Sequence, residues 1–372
     1  MSSVRRSVAL ARSVPIVIIH LVFAACGGEP GPGVASAEEI GVVEKGAWIE
    51  GRDGGDSAVA WGKSVWVYGD TVLTQADEAG TNWHHNSFDI SDDLDASDGI
   101  GGFSSPADGV GAPGYFIAPT ADEQAFNDAH AGDDCAEAPC GARWAVWPRA
   151  PVFDAARDRA LIPYGLIYAE PGDFNFRGVG QSFAIWEGLD EAPERPIVDA
   201  SAEHPDLLFG EGEPGWGAAL VAHGDDLYTF ACDGSLSKPC SLARVPLETP
   251  VDRGAFRYFD GEGWSDDAGD AAALFDGAPI MSVSYCEHLG AWLAVYSPPF
   301  DHRIVARTAP DLTGPWSDEA TLYTAPEERA PYDAVHHAEY EEDGGRVQYI
   351  TYSRPTSGWF GSEFALVRVV LK

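Results

Sequence analysis

Three aspartates in the stretch Gly51 to Thr71, GRDGGDSAVAWGKSVWVYGDT, are the residues whose type and spacing most directly support chemistry. Asp53, Asp56 and Asp70 lie among Gly51, Gly54, Gly55 and Gly69, and glycines let a backbone bend so that side chains from neighbouring strand ends meet. Between them, SAVAWGKSVWVY reads as two short β-type runs broken at Gly62-Lys63, a hairpin. A hairpin sets its arms side by side, so Asp53 before the first arm and Asp70 after the second are expected at one rim. Two carboxylates facing one cleft are what glycoside hydrolysis needs. One donates a proton to the leaving oxygen, and the other activates water or attacks the sugar. Their separation sets the stereochemistry, about 5 Å for retention and about 6.5 to 9.5 Å for inversion. The plainer reading is that Asp53 and Asp56 make turn hydrogen bonds and Asp70 caps a strand end.

Other candidates surround this pair. His337 and Glu339, in DAVHHAEY, alternate with period two and share a strand face. They are expected to line an interior funnel, with Glu339 as a proton donor and His337 positioning water, a hydroxyl or an ion. Alternatively, both hydrogen-bond neighbouring sheets. His85 and Asn86 could bind sugar hydroxyls, whereas adjacent His84 and His85 point to opposite strand faces and would not share a metal. Trp83, Trp147, Trp216 and Trp359 are candidate stacking platforms, most of the twelve tryptophans being needed for packing. Arg307 and Arg354 lie in strands near proposed rim ends, where Arg307 is a candidate substrate contact; surface ion pairs are the alternative. The run Asp89, Asp92, Asp93, Asp95, Asp98 lacks the spacing of a calcium loop. No nucleophile elbow, phosphate-binding loop or H-E-x-x-H motif is present.

The elements that must position these residues are strands. From residue 40 onward an apolar strand, a Gly or Asp turn, an aromatic-rich strand and an Ala/Val/Arg strand recur in five units: 47–91, 144–188, 216–264, 280–317 and 335–371. That spacing suits the blades of an all-β, five-bladed β-propeller, which hides its sheet edges by radial repetition. A two-sheet sandwich is the competing architecture. Residues 92–134 form an acidic, Gly-rich insertion between blades 1 and 2, expected to lie over one face with a short helix around Asp122 to His130.

The net charge of −36 and pI of about 4.3 disfavour nucleic acid and anionic membranes. The N-terminus reads as an address. Arg5, Arg6 and Arg12 precede the apolar run Val14 to Ala25, which is too short to span a bilayer. The run ends at Cys26, resembling a bacterial lipoprotein signal in which the cysteine is lipidated; an ordinary secretory peptide is the alternative. Residues 1–25 are thus expected as signal, 26–41 as a flexible tether and 42–372 as the propeller. Export favours oxidation, so Cys135 with Cys140 and Cys232 with Cys240 are expected as local disulfides, leaving Cys286 as a buried thiol.

Taken in order, Asp53-Gly54, Gly69-Asp70-Thr71, His85-Asn86-Ser87-Phe88, Trp216-Gly217, Leu242-Ala243-Arg244-Val245, Leu312-Thr313-Gly314-Pro315-Trp316-Ser317 and Tyr349-Ile350-Thr351-Tyr352-Ser353-Arg354 resemble the domain-of-unknown-function family 4185. The resemblance runs from about residue 42 to 372. It implies a five-bladed propeller related to endo-D-arabinanases of glycoside hydrolase family 183, with Asp53 and Asp70 as the acidic pair. Here Tyr68 stands where Phe is usual before Gly-Asp-Thr. The expected partner is a neutral polysaccharide such as arabinan, cut by a monomer held at the cell envelope only through its lipid. No cofactor is expected, though a central channel could hold a structural ion. The contrasting expectation is a propeller that binds carbohydrate or protein without cutting anything.

Overall fold

The computed structural model describes residues 30–172, 174–358 and 360–372. Five antiparallel sheets succeed one another around an axis, forming a five-bladed β-propeller that is almost entirely β. Blade 1 holds Ile49–Ala60, Lys63–Leu73, Trp83–His84 and Ser87–Ser91; blade 2 runs from Arg143–Pro148 through Arg159–Ala169 and Phe176–Trp186. Blade 3 is built on Ala219–His223, Asp226–Cys232 and Pro239–Pro246, and blade 4 on Ser282–Cys286, Ala291–Tyr296, Arg303–Ala309 and Ala320–Thr324. Blade 5 combines Tyr332–His336, Val347–Pro355 and Ser362–Leu371 with Val34–Val42 from the other end of the chain.

The core lies between blades, so middle strands are buried on both faces. In Lys63–Leu73 the consecutive residues Val65, Trp66, Val67 and Tyr68 are all buried. Strand alternation sends Val65 and Val67 toward blade 2, and Trp66 and Tyr68 toward blade 5. The predicted hairpin is present. Ala60 pairs with Lys63, and the two turn residues, Trp61 and Gly62, have φ of 50° and 76°, the geometry that matches strand twist in a two-residue loop.

One expectation needs correction. Residues 34–42 are not a tether: Val34–Val42 pairs antiparallel with Ser362–Leu371 as the outer strand of blade 5. Its side chains alternate poorly and are mostly exposed, so the sequence carries no strand signal, and what holds it is the backbone ladder on a strand whose edge would otherwise be open. The signal segment and Cys26 lie outside the described residues. The 92–134 insertion leaves the outer strand of blade 1 alongside it, through Ile90–Ser104 and Asp89–Ser105 hydrogen bonds. Its helix, Ala121–His130, carries a Thr120–Glu123 capping box.

Glu123 also ties that helix to blade 2. Arg195 donates to Glu123 at 2.6 and 2.7 Å and to Asp206 at 2.8 Å, and Tyr164 donates to Asp206 at 2.6 Å. All three charged side chains are buried. Removing one member strands the others without compensation, so Arg195→Ala is expected to lower unfolding free energy by about 3–5 kcal/mol. Urea denaturation checks this; a change below about 1 kcal/mol would show the network to be dispensable. The disulfides Cys135–Cys140 and Cys232–Cys240 are formed, and Cys286 is a buried free thiol.

Candidate active site

Strand irregularities bring the carboxylates together. The register of Ile49–Ala60 with the next strand slips twice: between Arg52 and Gly54 the pair Gly69-Asp70 bulges opposite the single residue Asp53, and between Gly54 and Asp56 Gly55 is the extra residue. A bulge bends its strand and re-aims a side chain. The bend needs glycine: Gly54 and Gly55 have φ of 82° and 102°. A methyl group on Gly69 would lie 3.8 Å from Asp53 Cβ and 3.8 Å from Trp147 Cδ1, so Asp53, Trp147 and the Gly69-Asp70 corner crowd one spot. In blade 5 a second slip, between Tyr332 and Val335, places Asp333 in a bulge at φ 52°. Strained backbone of this kind clusters at functional sites.

The result is an acidic mouth at one end of the propeller axis. Burial raises the Asp53 carboxyl from 3.8 to about 7, helped by the nearby charge of Asp70. Burial also raises Asp70, but the Trp83 indole N–H donates to its Oδ1 at 2.9 Å and Arg143 faces it, both favouring the ionised form. Arg143 lies 4.8 Å over the Trp83 ring. Asp56 is neutralised by a forked pair with Arg149. Asp333 is buried beside Asp53, Asp56 and Arg149, with its Oδ2 unpartnered, and burial pushes its carboxyl well upward. Tyr332 and Tyr115 complete the wall, both within electrostatic reach of Asp70. Phe176 packs edge-on against Trp147 at 5.0 Å.

Below the mouth an axial channel of about 440 Å³ is lined by Asp56, Arg149, Ser282, Ser284, His336 and Glu339 among others. Glu339 sits there rather than beside Asp70, accepting from Ser57 and from Ser64 at 2.8 Å. His337 is buried behind it, bonded to Ser57 at 2.6 Å and Thr351 at 2.7 Å and stacked on Trp66. Burial drives His337 and His336 toward the neutral form. Their two-residue spacing did not place His337 and Glu339 on one funnel wall, because the strand ends at His336 and Ala338–Tyr340 turns as a short helix.

Three expected sugar contacts take structural places instead. Asn86 is saturated, donating to Ile117 O and Val146 O at 2.9 Å each and accepting from the Phe116 and Ile117 amides. Trp216 is buried against Phe209 and Tyr258 in the contact between blades 2 and 3. Arg307 is held inside blade 4 by Tyr296 at 2.8 Å and Ser317 O at 2.6 Å. His85 is buried against Tyr115, its Nδ1 accepting from the Val146 amide at 3.1 Å, and burial lowers it to about 3. Trp83 and Trp147 do reach the mouth; Trp359 lies outside the described residues.

Asp333, Arg149, Arg143 and Tyr332 were not singled out from sequence. A signal was available for Asp333, an Asp near the start of the innermost strand of blade 5 as Asp53 lies in the first half of that of blade 1. Among the described residues no cluster of three or more His, Cys, Asp or Glu side chains is arranged to hold a metal.

Residues 186–356 match the family described as Domain of unknown function (DUF4185). That stretch spans blades 3 and 4 and much of blade 5, so the family resemblance holds there, while Asp53 and Asp70 lie outside it. None of the curated proteins matches the chain by sequence. Among solved structures, a Bacteroides ovatus ATCC 8483 protein superposes with a TM-score of 0.58 at 15% identity, over 89% of this chain and 87% of that one. Zg3597, a family 117 glycoside hydrolase of Zobellia galactanivorans, gives 0.51 at 12% identity over 90% of both chains. A GH43 β-1,3-galactosidase gives 0.50 at 10% identity over 90% of this chain and 62% of its own. At these identities the likeness establishes the fold.

Proposed function

We propose that the protein is an exported glycoside hydrolase that cuts a neutral, furanose-rich polysaccharide such as arabinan with Asp53 and Asp70. The observation that carries this reading is two carboxyls at one mouth with environments that separate their protonation. Asp53, raised to about 7, keeps its proton near neutrality and acts as general acid toward the glycosidic oxygen. Asp70, braced by the Trp83 N–H and Arg143, is the carboxylate that attacks the anomeric carbon or activates water. Pairs whose surroundings push them apart in this way divide acid and base roles. The aromatic wall suits sugar-ring faces, and the family resemblance and the glycoside hydrolases among the structural neighbours support the same class of reaction.

Export agrees with the two disulfides, and Cys26 is proposed as the lipidated anchor to the cell envelope. The protein is taken to work as a monomer. The direct test is reducing-sugar release from arabinan, galactan and xylan by the chain from residue 30. Release from arabinan above the others is expected, and no release from any of them would leave a non-cutting glycan binder.

A further inference from the structure

Three hairpins of blades 2, 3 and 4 carry the feature from which this inference starts. The inner strands of all five blades run the same way. Arg149 bonds Asp56, while Ser282 receives the His336 amide at 2.8 Å and Ser297 the Ala334 amide at 3.4 Å. The turn between the second and third strands of each blade therefore lies at the Asp53 end. In blade 2 that turn, after Ala169, carries Phe174; in blade 3, after Cys232, it carries Leu236; in blade 4, after Tyr296, it carries Phe300. These side chains are 91%, 74% and 85% exposed.

Bare apolar tips at matched positions do nothing for the core. Two of them are also strained, since Phe174 and Phe300 hold φ of 56° and 62°, which a bulky residue rarely adopts. Asn or Gly would fit those turns better. Folding alone favours neither the residue type nor the exposure.

We infer that Phe174, Leu236 and Phe300 form an apolar track for a neutral polysaccharide chain, leading across blades 2 to 4 to the carboxylate mouth. The track is continuous with the site: Phe176, two residues from Phe174, packs on Trp147, which adjoins the Gly69-Asp70 corner. Sugar rings offer C–H faces that aromatic and branched side chains cover well. The net charge of −36 argues against an anionic polymer or lipid surface as occupant. This deepens the proposed function by requiring a polymer, gripped several units from the cut.

The test compares wild type with a triple variant, Phe174→Gly, Leu236→Ser and Phe300→Gly. Because two of the changes relieve positive φ, the melting temperature is expected to hold or rise. KM for linear arabinan should rise about tenfold or more, while kcat/KM on a short aryl arabinofuranoside stays within about twofold. Equal KM for the polymer, or matching losses on both substrates, would overturn the track. Electrophoresis in gels containing arabinan separates this inference from the hydrolase reading. Wild type that is retarded but inactive, with the variant unretarded, keeps the track and removes the hydrolase. Equal migration of the two proteins, or loss of binding to phosphatidylcholine vesicles instead, removes the track.

Discussion

Asp53→Asn and Asp70→Asn are each expected to cut glycan turnover by about 10²- to 10⁴-fold, the range over which positioned acids and bases act. The wild-type rate should fall as pH rises through about 7, where Asp53 loses its proton. The same shift fixes the sign of the effect on stability. Asp53 binds its proton more tightly folded than unfolded, so between about 4 and 7 the native state holds more protons and stability declines as pH rises. Asn carries no charge to bury, so Asp53→Asn should be more stable than wild type above pH 7. Loss of activity combined with gained stability cannot come from misfolding. Turnover assays across pH 5 to 9, with urea melts at pH 5 and pH 8, measure both. Retained turnover in either variant would remove the Asp pair from the mechanism.

Deleting the first strand is expected to be the most damaging change to the fold. Val34–Val42 pairs with the last strand of the chain at seven positions, and each backbone hydrogen bond contributes about 0.5–1.5 kcal/mol net. Its Glu39 also pairs with Arg354 at 3.0 Å. A chain beginning at residue 43 should therefore lose on the order of 5 kcal/mol. It should also self-associate through the bared edge of Ser362–Leu371. Matched urea curves and light scattering for chains begun at residues 30 and 43 decide this; coincident midpoints would mean the ring closes without that strand. The effect bears on function, because the two carboxylates stand on blade 1 and Asp333 on blade 5, the blades at the closure.

Several features were legible from sequence because they are local. The hairpin, read with its break at Gly62-Lys63 and found to turn one residue earlier at Trp61-Gly62, rests on turn chemistry, and the two disulfides rest on close cysteine spacing in polar loops. The five units followed from a repeat of strand and turn signals, which survives because every blade must bury its middle strand on both faces. The roles given to Asn86, Trp216 and Arg307 were misjudged because residue type says what a side chain can bond, whereas its neighbours decide whether that capacity is already used.

Asp53 and Asp70 were readable because the hairpin between them spans few residues and sets their register by itself. Asp333 and Arg149 were not, since 280 residues separate Asp53 from Asp333 and no local pattern encodes which blades adjoin. The sequence by itself determined the blades, their order and the proximity of one acidic pair, because those depend on interactions within tens of residues. Only the tertiary structure decided that the first strand closes the last blade, that bulges in two such blades aim a third carboxyl at the same mouth, and which polar side chains remain free. Those outcomes depend on ring closure, and that joins the two ends of the chain.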